Sequence, residues 1–172
     1  KRIRGMAGWP RFDTYYKRSE WAGKLRVNGD WVLDGTINNP LAHMLSDELY
    51  LASMKPGEMA IPVTVQAELY HGHDIESEDT SSLRVITDKG VEVLFNASLC
   101  SDARMDPFVI IECQKAKIEY TGFCKATIML ENGEVERIND DNEKRINMLT
   151  KLAEHYENGS PYPVVLETCR PF

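Results

Sequence analysis

From Pro62 onward the chain is written in period two, and that alternation restricts the fold more than any other feature. Val63, Val65, Ala67 and Leu69 face one way while Thr64, Gln66, Glu68 and Tyr70 face the other, the pattern of a half-buried strand. Ser82 to Thr87 and Val91 to Leu99 then flank Asp88-Lys89-Gly90, a short loop whose glycine can take a positive φ. Phe108 to Cys113, Lys117 to Tyr120 and Phe123 to Glu131 continue the meander. Asn132-Gly133 closes a further hairpin onto Glu134 to Ile138. Upstream, Asn28-Gly29 sits between two short alternating runs and signals a two-residue hairpin. Consecutive hairpins predict an antiparallel or mixed sheet of about six or more strands.

Two helices flank this block in sequence. The first is predicted over the stretch from Asp34 to Met54, where Leu41, Leu45, Leu49 and Ala52 recur at helical spacing and Pro56-Gly57 makes the break. The second follows Asp140 and Asp141, read as caps, and ends near Gly159 with Ile146, Leu149 and Ala153 on its inward side. The final VVLETC is read as an edge strand or a lead into further chain. Helices near the two ends and strands between predict an α+β fold: an open-faced mixed, mainly antiparallel sheet with helices on one face. Its outer face carries Tyr70, Ile86, Leu94 and Met129 among Glu68, Arg84, Asn96 and Thr127, too apolar to meet only water. A second copy of the chain is the economical cover, with a loop or a further part of the protein as the alternative.

At 172 residues, 42% hydrophobic and 27% charged, the chain has the material for one core and is read as one domain, residues 1–172. A net charge of -7 without a basic stripe argues against nucleic acid or an anionic membrane surface as partner. No apolar run is long enough to span a bilayer, and the expected location is cytoplasmic. Cys100, Cys113, Cys124 and Cys169 lack C-x-x-C spacing and are read as reduced thiols. The abrupt start KRIRG and the end CRPF suggest a piece of a longer protein.

The candidate acid/base group is His43. Asn39-Pro40 reads as a helix start, so Asn39, His43 and Asp47 fall at i, i+4 and i+8 and form a polar stripe beside the apolar one. A nearby carboxylate favours the charged imidazole in the pH range where histidine works as an acid or base. Asp34, at the end of the second hairpin strand, is either an active-site carboxylate or a turn residue. Trp9, Phe12, Tyr15, Tyr16 and Trp21 form a dense aromatic run that packs a core or lines a ligand pocket. Within it Tyr16, Trp21 and Arg18 are candidate substrate contacts, Arg18 as a donor to hydroxyl or carboxylate groups and Asp47 as a further one from the helix.

Two other motifs carry less. HGHD at 71–74 places His71 and His73 at i and i+2, on one side of a strand, as zinc ligands can be, but no third and fourth ligand is evident and no metal site is assigned. IESEDTSS at 75–82 reads as a solvated acidic loop turning into a strand.

The same region has a second meaning. AELYHGHDIESEDTSSLRVITDKGVEVLF, with YYKRSEWAG, WVLDG and NNPLAH ahead of it, resembles the C-terminal domain of the glucose-fructose oxidoreductase/inositol dehydrogenase (Gfo/Idh/MocA) family, over nearly the whole chain. The resemblance implies two-domain enzymes that oxidise or reduce sugars and cyclitols with NAD or NADP held by an N-terminal Rossmann domain. This chain has no G-x-G-x-x-G and no E-K-P segment, so the Rossmann domain and the cofactor site would belong to another part of the protein. The family's catalytic spacing, an aspartate four residues before a histidine, falls on Asn39 and His43: the histidine matches and the aspartate does not. By that resemblance His43 takes the substrate hydroxyl proton, and Asp34 or Asp47 would supply the carboxylate.

Three functions compete. The first is the substrate and dimerisation domain of an NAD(P)-dependent sugar or cyclitol dehydrogenase, inactive in isolation. The second is a non-enzymatic carbohydrate-binding module, for which Asn39 is the motivating residue. The third is an oligomerisation domain.

Overall fold

A computed structural model describes residues 1–121, 125–139, 144–161 and 165–172. The elements are β1 (Arg2–Gly8), α1 (Asp13–Tyr16), β2 (Arg26–Val27), β3 (Asp30–Trp31), α2 (Ala42–Ser53), β4 (Pro62–Tyr70), β5 (Thr80–Thr87), β6 (Glu92–Ser98), β7 (Met105–Glu112), β8 (Ala116–Thr121), β9 (Lys125–Leu130), β10 (Val135–Asn139) and α3 (Lys144–Asn158). The large sheet has eight strands in the order β10-β9-β8-β7-β1-β6-β5-β4. β1 runs parallel to β6, and every other neighbouring pair in it is antiparallel. The expected α+β architecture, mixed and mainly antiparallel, is what forms.

β1 is the strand that the hairpin signals do not announce. Its RIRGMAG alternates Ile3, Gly5 and Ala7 inward, and it sits between β6 and β7 at the centre of the sheet. α2 lies across β1 and β6. Leu41, Met44, Leu45, Leu49 and Ala52 meet Ile3, Ala7, Leu83, Val85, Val93, Phe95 and Val109 in one core. Each large side chain buried there contributes about 1.5–3 kcal/mol, so Leu49→Ala would cost about 2–5 kcal/mol. α2 ends at Met54, which takes the left-handed conformation at φ 58°.

The core covers only part of the helix-side face. Beyond it, Ile111, Ile118, Ile128, Ile138, Tyr120 and Ala126 line a groove of about 370 Å³ closed on one side by Asp47, Tyr50 and Leu51 of α2. The opposite face carries a cross-strand ladder in which Glu92 pairs with both Arg2 and Arg84, and Arg4 with Glu112.

Several local expectations are corrected. β4 is exposed on both faces along Val63–Tyr70 rather than half-buried, because it is the sheet edge and α2 packs mainly on β1 and β6. HGHD lies in a turn after β4, so its histidines do not share a strand face. Ile146, Leu149 and Ala153 of α3 are exposed, not inward. Leu166–Cys169 is a 3-10 turn where an edge strand was expected. The caps Asp140 and Asp141, together with Phe123 and Cys124, lie outside the described residues. Gly159, at φ 74°, ends α3 as expected, and Cys100, Cys113 and Cys169 are free thiols. No described helix is long and apolar enough to cross a membrane.

Candidate functional site

The segment ahead of α2 is organised by Asp34. The β2–β3 hairpin ends at Leu33, held at φ 52°, and Asp34 turns inward to 5% exposure. Its Oδ2 accepts the Gly23 N–H at 2.7 Å, and its Oδ1 accepts a short hydrogen bond from Asn39 Nδ2. Asn39 is therefore not the helix cap: α2 begins at Ala42, its cap position is Leu41, and no side chain caps it. A carboxylate only accepts, so the bond fixes the Asn39 amide with its NH2 toward Asp34 and leaves its carbonyl oxygen for another donor.

His43 is exposed in the first turn of α2, and Asp47 stands one turn further along. Among the described residues no hydrogen bond or ion pair joins them. Burial pushes the Asp47 carboxyl up, and the His43 charge opposes that shift. Asp34 thus holds the Asn39 amide and the Gly23 backbone, while His43 is open to solvent.

The other sequence candidates separate. Arg18 lies over the Tyr15 ring at 3.9 Å and the Trp21 ring at 5.0 Å, and its Nη2 donates to the Tyr15 hydroxyl at 2.8 Å. Such stacking holds an exposed guanidinium in a fixed direction. Tyr16 instead faces a polar cleft of about 530 Å³ lined also by Asp13, Lys17, Lys24, Gly72, His73 and Asp74. Its hydroxyl is buried without a hydrogen-bond partner among the described residues, and burial, then the charge of Asp79, pushes its proton affinity up. Asp47 belongs to the apolar groove on the other side of α2.

The acidic loop is only partly solvated: Glu76 and Ser82 are exposed, but the segment between them turns inward. Asp79 is 0% exposed and Ser77 is buried. The N–H groups of Glu76 and Ser77 donate to the Gly23 carbonyl, Glu76 pairs with Lys24, and Glu78 accepts the Ile37 N–H. This loop clasps the 23–37 segment and so sets the approach to α2. Asp79 also accepts the N–H groups of Gly72 and His73 and contacts the His73 ring, with Cys100 beside it.

No family profile matches the sequence, and no curated protein matches it. Solved structures do match in fold. The WlbA dehydrogenase from Bordetella pertussis, in complex with NADH and UDP-GlcNAcA, superposes with a TM-score of 0.64 at 17% identity, over 94% of this chain and 46% of that one. UDP-N-acetylglucosamine 3-dehydrogenase GnnA from Acidithiobacillus ferrooxidans does so with a TM-score of 0.67 at 13% identity, over 93% and 45%. The fold is that of a dehydrogenase C-terminal domain. The chain spans about half the length of these structures, and at such identities the likeness is one of fold.

Proposed function

We propose that residues 1–172 are the C-terminal substrate and dimerisation domain of a cytoplasmic NAD(P)-dependent oxidoreductase acting on a sugar or cyclitol hydroxyl, its Rossmann domain lying elsewhere in the same protein. The observation that carries this reading is the exposed His43 at the start of α2, four residues after an Asn39 amide locked by buried Asp34, on a fold shared with nucleotide-sugar dehydrogenases.

In this reading the Asn39 carbonyl oxygen accepts a hydrogen bond from a neighbouring hydroxyl of the substrate and so orients it, and the His43 imidazole takes the proton of the reacting hydroxyl. Asp34 is a positioning residue. Arg18, on its Tyr15 and Trp21 platform, supplies donors to hydroxyl or carboxylate groups at the rim. A dinucleotide needs a glycine-rich turn that delivers backbone N–H groups at a helix N-terminus. α2 starts behind Asn39-Pro40-Leu41, and among the described residues no glycine-rich turn leads into a helix, so the reading assigns the dinucleotide to the Rossmann part.

The test is His43→Asn in the two-domain protein, assayed with nucleotide sugars and cyclitols. A positioned base contributes roughly 100-fold or more, so turnover should fall by at least about 100-fold with dinucleotide affinity unchanged. Turnover within a few-fold of the parent would remove His43 from the chemistry. Sugar binding with no turnover in the parent itself would favour the carbohydrate-binding module.

A further inference from the structure

We propose that His73, Asp79 and Cys100 form a binding site for one zinc ion, at the end of the cleft that contains Tyr16. The site is separate from His43 and does not depend on the dehydrogenase reading. His73 Nδ1 lies 2.7 Å from Asp79 Oδ2 and 3.3 Å from Cys100 Sγ, and all three donor atoms lie within 4.8 Å of one another. Zinc bonds of about 2.0–2.2 Å to nitrogen and oxygen and about 2.3 Å to sulfur place ligand atoms roughly 3.3–3.7 Å apart in a tetrahedron. The thiol is already at that spacing from the imidazole. The imidazole–carboxylate contact has to open, by roughly half an ångström.

The fold supplies the ligands from different places. β5 and β6 pair Thr80 with Ser98, which brings Asp79, just before one strand, next to Cys100, just after the other. The turn after β4 then folds His73 over both. Asp79 is anchored from behind by the Gly72 and His73 N–H groups and has no exposure of its own, while Cys100 is exposed. Held ligand oxygens and an accessible sulfur give a site that is ordered before the ion arrives and has a way in.

The donor set decides the ion. One nitrogen, one oxygen and one thiol suit zinc, whereas magnesium and calcium take oxygen ligands. Three protein ligands leave a fourth position toward the cleft, the arrangement of zinc sites that hold water or a substrate atom. His71, the neighbour that the HGHD motif offers, is not a ligand: its Nδ1 contacts the His73 carbonyl instead.

The experiment strips the chain with a chelator and titrates Zn2+ in competition with a chromophoric chelator, with Co2+ as a spectroscopic probe. One equivalent of zinc should be retained, and the Co2+ form should show a thiolate-to-metal charge-transfer band. Cys100→Ser should abolish that band, and Cys100→Ser and His73→Ala should each weaken zinc binding at least about 10-fold. His71→Ala and Cys113→Ser should change neither. Circular dichroism and melting checks that the variants are folded. Absence of the charge-transfer band in the parent chain, or zinc binding that survives both Cys100→Ser and His73→Ala, would overturn the proposal. The parent-chain spectrum decides even where a variant does not fold.

Discussion

The carboxyl of Glu48, on α2, lies on the backbone of Gly5 in the central strand β1, in the space that a Cβ on Gly5 would occupy. Glu48 is 0% exposed, and neither of its oxygens has a hydrogen-bond partner among the described residues. Burial, and then the charge of Asp47, push its pKa well above the ordinary carboxyl value. The neutral acid is the form that the core holds, since an unpaired buried charge is far more costly than an unpaired hydroxyl.

This makes stability fall with rising pH. The unfolded chain releases the Glu48 proton near the ordinary glutamate value, and the folded chain releases it only at a higher pH. Between the two the unfolded state binds fewer protons, so folding weakens by about 1.4 kcal/mol for each pH unit. Glu48→Met keeps the volume and removes the acid. Urea unfolding at pH 5, 6, 7 and 8 should show the variant gaining on the parent as pH rises, and parallel curves would contradict the assignment.

Gly5→Ala tests the contact from the other side. The new methyl would overlap Glu48 Oε1 and crowd Met44 Sδ at 3.2 Å, an overpacking cost of about 1–3 kcal/mol. In a Glu48→Ala background most of that cost should vanish. A double-mutant cycle that shows simple additivity would mean the two residues do not compete for the same space.

Asp34 and Asn39 should behave as one unit. Asp34→Ala leaves the buried Gly23 N–H without its partner and should cost about 1–3 kcal/mol in denaturant unfolding. Asn39→Ala removes one hydrogen bond, about 1 kcal/mol. The double variant should cost less than the sum, because the first change already abolishes what the second removes.

Most of the fold was legible because strand alternation and hairpin turns are local signals. Asp88-Lys89-Gly90 also sets the register: residues equidistant from Lys89 pair across β5 and β6, which brings Asp79 up against Leu99 and so beside Cys100. β1 escaped because no turn joins it to a neighbour and it enters the sheet by a parallel pairing with a strand some ninety positions later. Asn39 was misread as a cap because Asn-Pro is a sound start signal, whereas its bond to Asp34 depends on where the hairpin points that side chain. The acidic loop looked solvated by composition. Its burial comes from tertiary contacts with Gly23 and Ile37, which no window of sequence contains.

The sheet face opposite α2 should hold a second copy of the chain. Leu94 stands in register with Arg4 and Arg84, and Met129 with Lys117, so each apolar side chain is framed by charges. That mixture suits an interface with an apolar centre and paired rim. Replacing Leu94 and Met129 together with lysine should convert dimers to monomers in sedimentation velocity, with the circular dichroism spectrum retained. A parent chain already monomeric at high concentration would exclude this face as a self-association surface.

The division of labour proposed above, between this chain and a Rossmann domain, gives the last prediction. Hydride transfer requires the nicotinamide and the substrate carbon within near-attack distance, and in the proposed reading this chain supplies only the groups that handle the hydroxyl. His43 is exposed rather than enclosed, so a sugar resting against it gains few contacts and should bind weakly. Calorimetric titration of the 172-residue chain with NAD and NADP should therefore give no saturable heat, and assays with nucleotide sugars and cyclitols should give no turnover. Micromolar dinucleotide binding would place a cofactor site on residues that offer no glycine-rich turn, and would require the function to be argued again from that site.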